Sequence, residues 1–153
     1  MHAGQDNYGL PKGIIGSCIQ LSTPTGYGST ATYTKYFTVV EQQVGSAIAL
    51  LNDPVYGSRF VIRESGVYCI SYTGDAPGSG SALCIAKNSA YPGSSGPANA
   101  ACVSYSDAGS GTYCAMCVTL WCNVGDTFTA SGQGSNLGTA TAAYTKFIIA
   151  RCG

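Results

Sequence analysis

The chain has 153 residues, seven cations balanced by seven anions, and only 9% charged residues, a length that suits one domain with a proper core. Its cations, scattered from Lys12 to Arg151, form no patch of the kind that neutralises phosphates, which excludes nucleic acid as a partner, and no apolar run approaches the length of a membrane span. Twenty-one glycines and 11 tyrosines among many Ser and Thr read as a turn-rich all-β domain whose neutral surface permits copies to associate.

Residues 1–12 form a polar, Gly-containing arm, and residues 13–153 a single folded domain. The arm buries too little to order itself, so it is either disordered or laid on a partner. In the second case Tyr8 and Leu10 are its apolar anchors, Pro11 restricts the backbone where it leaves the domain, and Lys12 ends it. Met1 to Gly9 has no basic start and no apolar core. It therefore does not read as a signal peptide, and the chain is expected to fold in cytosol.

Ile14–Leu21 alternates as the first strand, followed by a Pro/Gly/Ser/Thr loop over 22–32. Tyr33–Glu41 and Ile48–Leu51 are the next strands, and Asn52-Asp53-Pro54 is a turn. Two alternating runs, Arg59–Arg63 and Val67–Thr73, then flank Glu64-Ser65-Gly66. Phe60 and Ile62 share one face against Arg59 and Arg63; Tyr68, Ile70 and Tyr72 share one against Val67, Cys69 and Ser71. Period two, aromatic and β-branched residues, and a Gly-bearing break predict that these two runs pair directly as antiparallel neighbours. Further strands are expected at Ala82–Lys87, Ala100–Tyr105, Thr112–Cys122, Thr127–Ser131 and Ala140–Arg151. Met116, Val118 and Leu120 share a face of the longest. No helical periodicity competes, so ten or so strands make an antiparallel sandwich, and their order favours a jelly roll.

Catalysis is not expected. The only histidine, His2, lies in the arm, where no nucleophile–base pair is held in place. Asp53, Glu64, Asp75, Asp107 and Asp126 are isolated acids beside turns, where they bond backbone amides. Cys114 and Cys117 have metal-ligand spacing with Cys122 nearby, but positions three apart on a strand point to opposite faces. They read as small buried hydrophobes. No metal and no cofactor is expected.

Four pieces carry a resemblance. Gly57-x-x-Phe60 with Gly66-Val67-Tyr68-x-Ile70-x-Tyr72, then Ala82 to Lys87-Asn88, Leu120 to Asp126-Thr127-Phe128, and Thr145 to Ala150 follow one another in the order of the complement-head and tumour-necrosis-factor-like jelly-roll family. Over roughly residues 34–152 the chain resembles that family, of the kind also found on bacteriophage virions. The resemblance implies a homotrimer, with Phe60, Tyr68, Ile70, Tyr72, Tyr113, Trp121, Tyr144 and Phe147 in the core or at the trimer axis. It implies a virion protein, expected to be a capsid decoration (cement) protein docking its arm on the major capsid protein; the alternative is a receptor-binding head at a tail-fibre tip gripping host glycan or protein. The calcium used by some complement-type heads is not carried over, since no loop here clusters acids. Eight cysteines leave 105 full pairings open. In a particle released to air, Cys18 and penultimate Cys152 are the candidates for late bridging.

Overall fold

The computed structural model describes residues 17–22, 34–76, 81–89, 102–108, 112–133 and 145–153. Ten strands lie within them: β1 (Cys18–Ser22), β2 (Val39–Val44), β3 (Ile48–Asp53), β4 (Gly57–Ile62), β5 (Gly66–Ala76), β6 (Ser81–Lys87), β7 (Cys102–Ala108), β8 (Thr112–Cys122), β9 (Thr127–Gln133) and β10 (Lys146–Arg151). They form two five-stranded antiparallel sheets, ordered β2-β1-β10-β5-β8 and β3-β4-β9-β6-β7. No helix occurs among the described residues. This is the jelly-roll sandwich expected from the alternation.

The core forms where the inward residues of both sheets meet. Ile19, Leu21, Tyr68, Ile70, Tyr72, Met116, Phe147 and Ile149 of the first sheet face Ile48, Phe60, Ile62, Leu83, Ile85, Phe128 and Ala130 of the second. Aromatic rings join the layers at the centre. Phe147 stacks on Phe60 with ring centres 4.4 Å apart, while Phe37 and Tyr72 lie 5.9 Å and 6.1 Å from Phe147. The Tyr72 hydroxyl is fully buried with no hydrogen-bond partner, and burial pushes its pKa well up. An unpaired buried hydroxyl costs stability. Tyr72→Phe is therefore expected to raise the melting temperature slightly; a clear drop would mean that the hydroxyl is satisfied.

The two runs flanking Glu64-Ser65-Gly66 do not pair, contrary to the sequence expectation. β4 pairs with β3 and β9, and β5 with β10 and β8, so the corner carries the chain from one sheet to the other. Both runs need one face in the core, and crossing over lets Phe60 and Ile62 meet Tyr68 and Ile70 across the sandwich instead of alongside. Tyr68 pins the crossing by donating from its hydroxyl to the Glu64 carbonyl at 2.7 Å. Arg151 ties the chain end to the same corner through Glu64 Oε2 at 2.6 Å and the Ser65 carbonyl at 2.9 Å.

The expected strand Tyr33–Glu41 is not one strand over its described residues, 34–41. Thr34 bridges Ser131, Lys35 donates to the Ala130 carbonyl, and Ser58 donates to the Lys35 carbonyl. This segment inserts where β4 and β9, paired only at Phe60↔Phe128 and Val61↔Thr127, diverge. It then crosses to the other sheet as β2. Phe37 reaches the core because Ser58 Oγ accepts its amide at 2.8 Å and Asn52 Nδ2 donates to its carbonyl at 2.7 Å. Elsewhere the boundaries move by a few residues. β7 runs on to Ala108, with residues 100–101 outside the described ones, β9 continues to Gln133, and β10 begins at Lys146. Residues 14–16 and 140–144 lie outside the described residues.

Candidate interaction face

The two sheets differ in what covers their outer faces. On the β3-β4-β9-β6-β7 sheet the outward Thr129, Ser131, Cys84 and Ala86 are all buried within the chain. On the β2-β1-β10-β5-β8 sheet the outward residues are exposed along β2 and β8 and half-buried along most of β1, β10 and β5. The pairing register lines them up in rows: Val67 with Trp121; Val44, Cys18, Ala150, Cys69 and Thr119; Gln42, Gln20, Ile148, Ser71 and Cys117. Trp121 is 58% exposed, and every residue of β2 is exposed, with Val39 and Val44 opposite the outward Ser22 and Cys18. This face is broad, largely apolar and almost uncharged.

Among the side chains described on it, the charge is one neutral pair. Glu41 is the extra residue at a bulge where Gln20 faces Gln42 and Leu21 faces Val40. The bulge aims Glu41 across β1 at Lys146, whose Nζ lies 2.8 Å away, and Gln20 Nε2 also donates to it. The bond from Lys146 is the largest influence holding the Glu41 carboxyl down, from 4.5 to about 2.

At one end of the sandwich, two stretches singled out in the sequence meet. Lys87 Nζ lies 2.8 Å from Asp126 Oδ2, and Asn88 Nδ2 donates to Asp126 Oδ1 at 2.7 Å. Asn88 Oδ1 accepts the Thr127 amide at 2.8 Å, with Asn88 in the left-handed region at φ 52°, where Asn is tolerated better than most residues. The Lys-Asn and Gly-Asp stretches are thus two halves of one clasp between β6 and the turn before β9. Burial pushes the Asp126 carboxyl up, but the bonds from Asn88, Lys87 and the Asn123 amide outweigh it and hold its pKa below the ordinary value. A carboxylate with a lowered folded pKa stabilises above its unfolded pKa and loses that contribution as pH falls through the folded one. Stability is therefore expected to hold down to the ordinary Glu value of 4.5 and decline toward about 2, as thermal melts across that range would show. Asp126→Asn and Glu41→Gln should each flatten the decline; an unchanged profile in both would overturn the assignment.

Of the other acids only Asp53 is shown bonding turn amides; Glu64 pairs with Arg151 instead, and Asp75 and Asp107 lie within β5 and β7 rather than beside turns. Asp53 Oδ1 accepts the amides of Val55 at 2.7 Å and Tyr56 at 3.0 Å. Phe60, Tyr68, Ile70, Tyr72 and Phe147 sit in the core. Trp121 does not: it projects from the open face. Tyr113 is placed in β8 opposite Asp75 by its backbone alone. Tyr144 and the arm residues Tyr8, Leu10, Pro11 and Lys12 lie outside the described residues. Cys18 and Cys152 are free thiols, and the Cys152 thiol donates to the Ala150 carbonyl at 3.6 Å. Cys114 is buried and Cys117 exposed, on opposite faces of β8, so they do not converge on one ion. Among the described residues no group of three or more metal-ligating side chains comes together. Lys35, fully buried, is a residue that the sequence reading missed.

No protein-family model and no curated protein sequence matches the chain. Solved structures do. Murine APRIL in a crystal at pH 8.0 shares 10% identity over 90% of this chain and 99% of its own, with a TM-score of 0.64. The Eiger TNF of S. frugiperda shares 10% over 91% and 92%, with a TM-score of 0.58. Pika GITRL shares 13% over 90% and 96%, with a TM-score of 0.55. At such identities the likeness is one of fold: the chain has a tumour-necrosis-factor-like jelly roll.

Proposed function

We propose that this chain is a non-enzymatic binding head that works as a homotrimer, with the open face of the β2-β1-β10-β5-β8 sheet as its self-contact surface. The observation that carries this is the contrast between the two outer faces. On one, the outward residues of β6 and β9 are covered by the chain itself although Leu51 of β3 is exposed, while the other leaves Trp121 and the residues of β2 exposed and Val67 and Ile148 half-buried. Exposed apolar patches of this breadth mark interaction sites. A chain with no net charge opposes no repulsion to its own copies.

The test is light scattering at micromolar concentration, where three chain masses are expected. Trp121→Glu, at an exposed position that the fold itself does not need, is expected to give a monomer with an unchanged far-ultraviolet circular dichroism spectrum. A wild-type monomer, or a Trp121→Glu variant that stays trimeric, would overturn the reading.

We place the trimer on a bacteriophage virion, made in the host cytoplasm and decorating the capsid against the major capsid protein. That setting is supported by the sequence resemblance of the Gly66–Tyr72 stretch. Copy number per particle tests it: many copies are expected of a decoration protein, a few of a tail tip. The tail-tip reading, a head that grips a host surface molecule, is favoured by one observation: the named structures are tumour-necrosis-factor-type proteins such as Eiger TNF. Particles lacking the chain separate the two, since loss of capsid stability marks decoration and loss of host attachment marks a tip.

A further inference from the structure

Cys69 on β5 and Cys117 on β8 stand on the open face with their sulfurs 3.5 Å apart. The register explains the approach. Ser71 is directly opposite Cys117 and Cys69 opposite Thr119, so the two thiols are diagonal neighbours on the same face, within reach of each other across the ladder. Cys69 is half-buried and Cys117 exposed, so small molecules reach the pair from solvent in the free chain. β8 is the edge strand of its sheet. Hydrogen-bonded within that sheet on one side only, it has room to make the small shift from sulfur contact to bonding distance, about 2 Å.

We propose that Cys69 and Cys117 are an oxidisable dithiol that low-molecular-weight disulfides convert into an intrachain disulfide stapling β8 to β5. The exchange balances without any other reagent. The Cys117 thiolate attacks one sulfur of the small disulfide, whose S–S bond breaks and releases one thiol after protonation. The Cys69 thiolate then attacks the Cys117 sulfur of the mixed disulfide and releases the second thiol. Two protein thiols are oxidised, and one small disulfide is reduced to two thiols. The hydrogen bond shared with Cys69 is the largest influence raising the Cys117 pKa, so the reaction should quicken as pH rises above neutrality, where more thiolate forms.

The staple closes a loop between residues 48 apart in sequence, spanning β6, β7 and the longest ladder of the fold. Cross-links that close long loops restrict the unfolded chain most. The bond lies within one chain and does not depend on self-association. Its mass readout is the same for monomer and trimer, so its failure would leave the trimer reading standing.

The full chain, reduced and then diluted so that the face is open, is incubated with oxidised glutathione at pH 8, blocked, and digested. A peptide linked through Cys69 and Cys117 is expected as the main disulfide product. It should be accompanied by a rise in melting temperature of roughly 5–10 °C. Cys117→Ser should melt like the reduced wild type and show no rise on oxidation, whereas Cys18→Ser and Cys152→Ser should keep both product and rise. Absence of the linked peptide, predominance of any other pairing, or an oxidation-driven rise that survives in Cys117→Ser would overturn the proposal.

Discussion

Phe147→Ala is expected to destabilise the fold by roughly 3–5 kcal/mol, the range for emptying a fully buried aromatic site. Phe147 is completely buried on β10, stacked on Phe60 of the opposite sheet and flanked by Phe37 and Tyr72. Removing it deletes a ring that, like Phe37, touches all three others, and the cavity opens between the layers, where rigid strands collapse least. β10 also sits between β1 and β5 in its sheet, so a loosened β10 weakens two ladders together. For a chain of this size the loss corresponds to a fall in melting temperature of roughly 6–20 °C. Protein concentration must be held constant, because self-association adds to apparent stability. Phe147→Leu, which fills most of the same volume, is expected to lose much less. If the Ala variant melts within two or three degrees of wild type, the aromatic bridge is not what holds the layers together.

How much of this was legible in the sequence follows from what period two can and cannot encode. Alternation tells which residues of a strand share a face, and there the structure agrees. Phe60 and Ile62, then Tyr68, Ile70 and Tyr72, point inward, and Met116 faces the core from the same side of β8 as Val118 and Leu120. The exposure of Trp121 was contained in the same pattern, since it has the opposite parity to Met116, Val118 and Leu120. Alternation does not tell which strand is the neighbour. A three-residue corner at Glu64-Ser65-Gly66 serves a hairpin or a crossing equally well; Tyr68 reaching back to the Glu64 carbonyl exists only in the second.

The same limit applies to Cys69 and Cys117. Their approach requires β5 and β8 to be partners in one particular register, and nothing near either residue specifies that. Thr34 to Phe37 misled in another way. Its Tyr and Phe have strand propensity, but the segment's amides and carbonyls are taken up by β9 and β4 before it can join a sheet of its own. Lys35 is buried there against the strong tendency of lysine to stay exposed, which no composition argument would anticipate.

Gly57→Val is the second change expected to be severe, at roughly 3–5 kcal/mol, from two causes that add. Gly57 closes the β3–β4 hairpin opposite Asp53 with φ at 89°, a region that β-branched residues scarcely visit. It is also walled in. A Cβ built there would lie 2.7 Å from the Thr34 carbonyl oxygen and 2.7 Å from Thr34 Cγ2. That carbonyl belongs to the segment inserted between β4 and β9, so relieving the clash means displacing the chain that carries Phe37 into the core. Gly125 separates the two causes. Its φ is 91°, yet nothing lies within 4 Å of a Cβ placed on it, so Gly125→Ala reports backbone strain alone, about 1–2 kcal/mol. Gly57→Ala should cost distinctly more than Gly125→Ala in parallel denaturant melts, and Gly57→Val more again. Equal costs for the two alanine variants would show that Thr34 yields freely, and the inserted segment would then not be fixed between β4 and β9 in the way described.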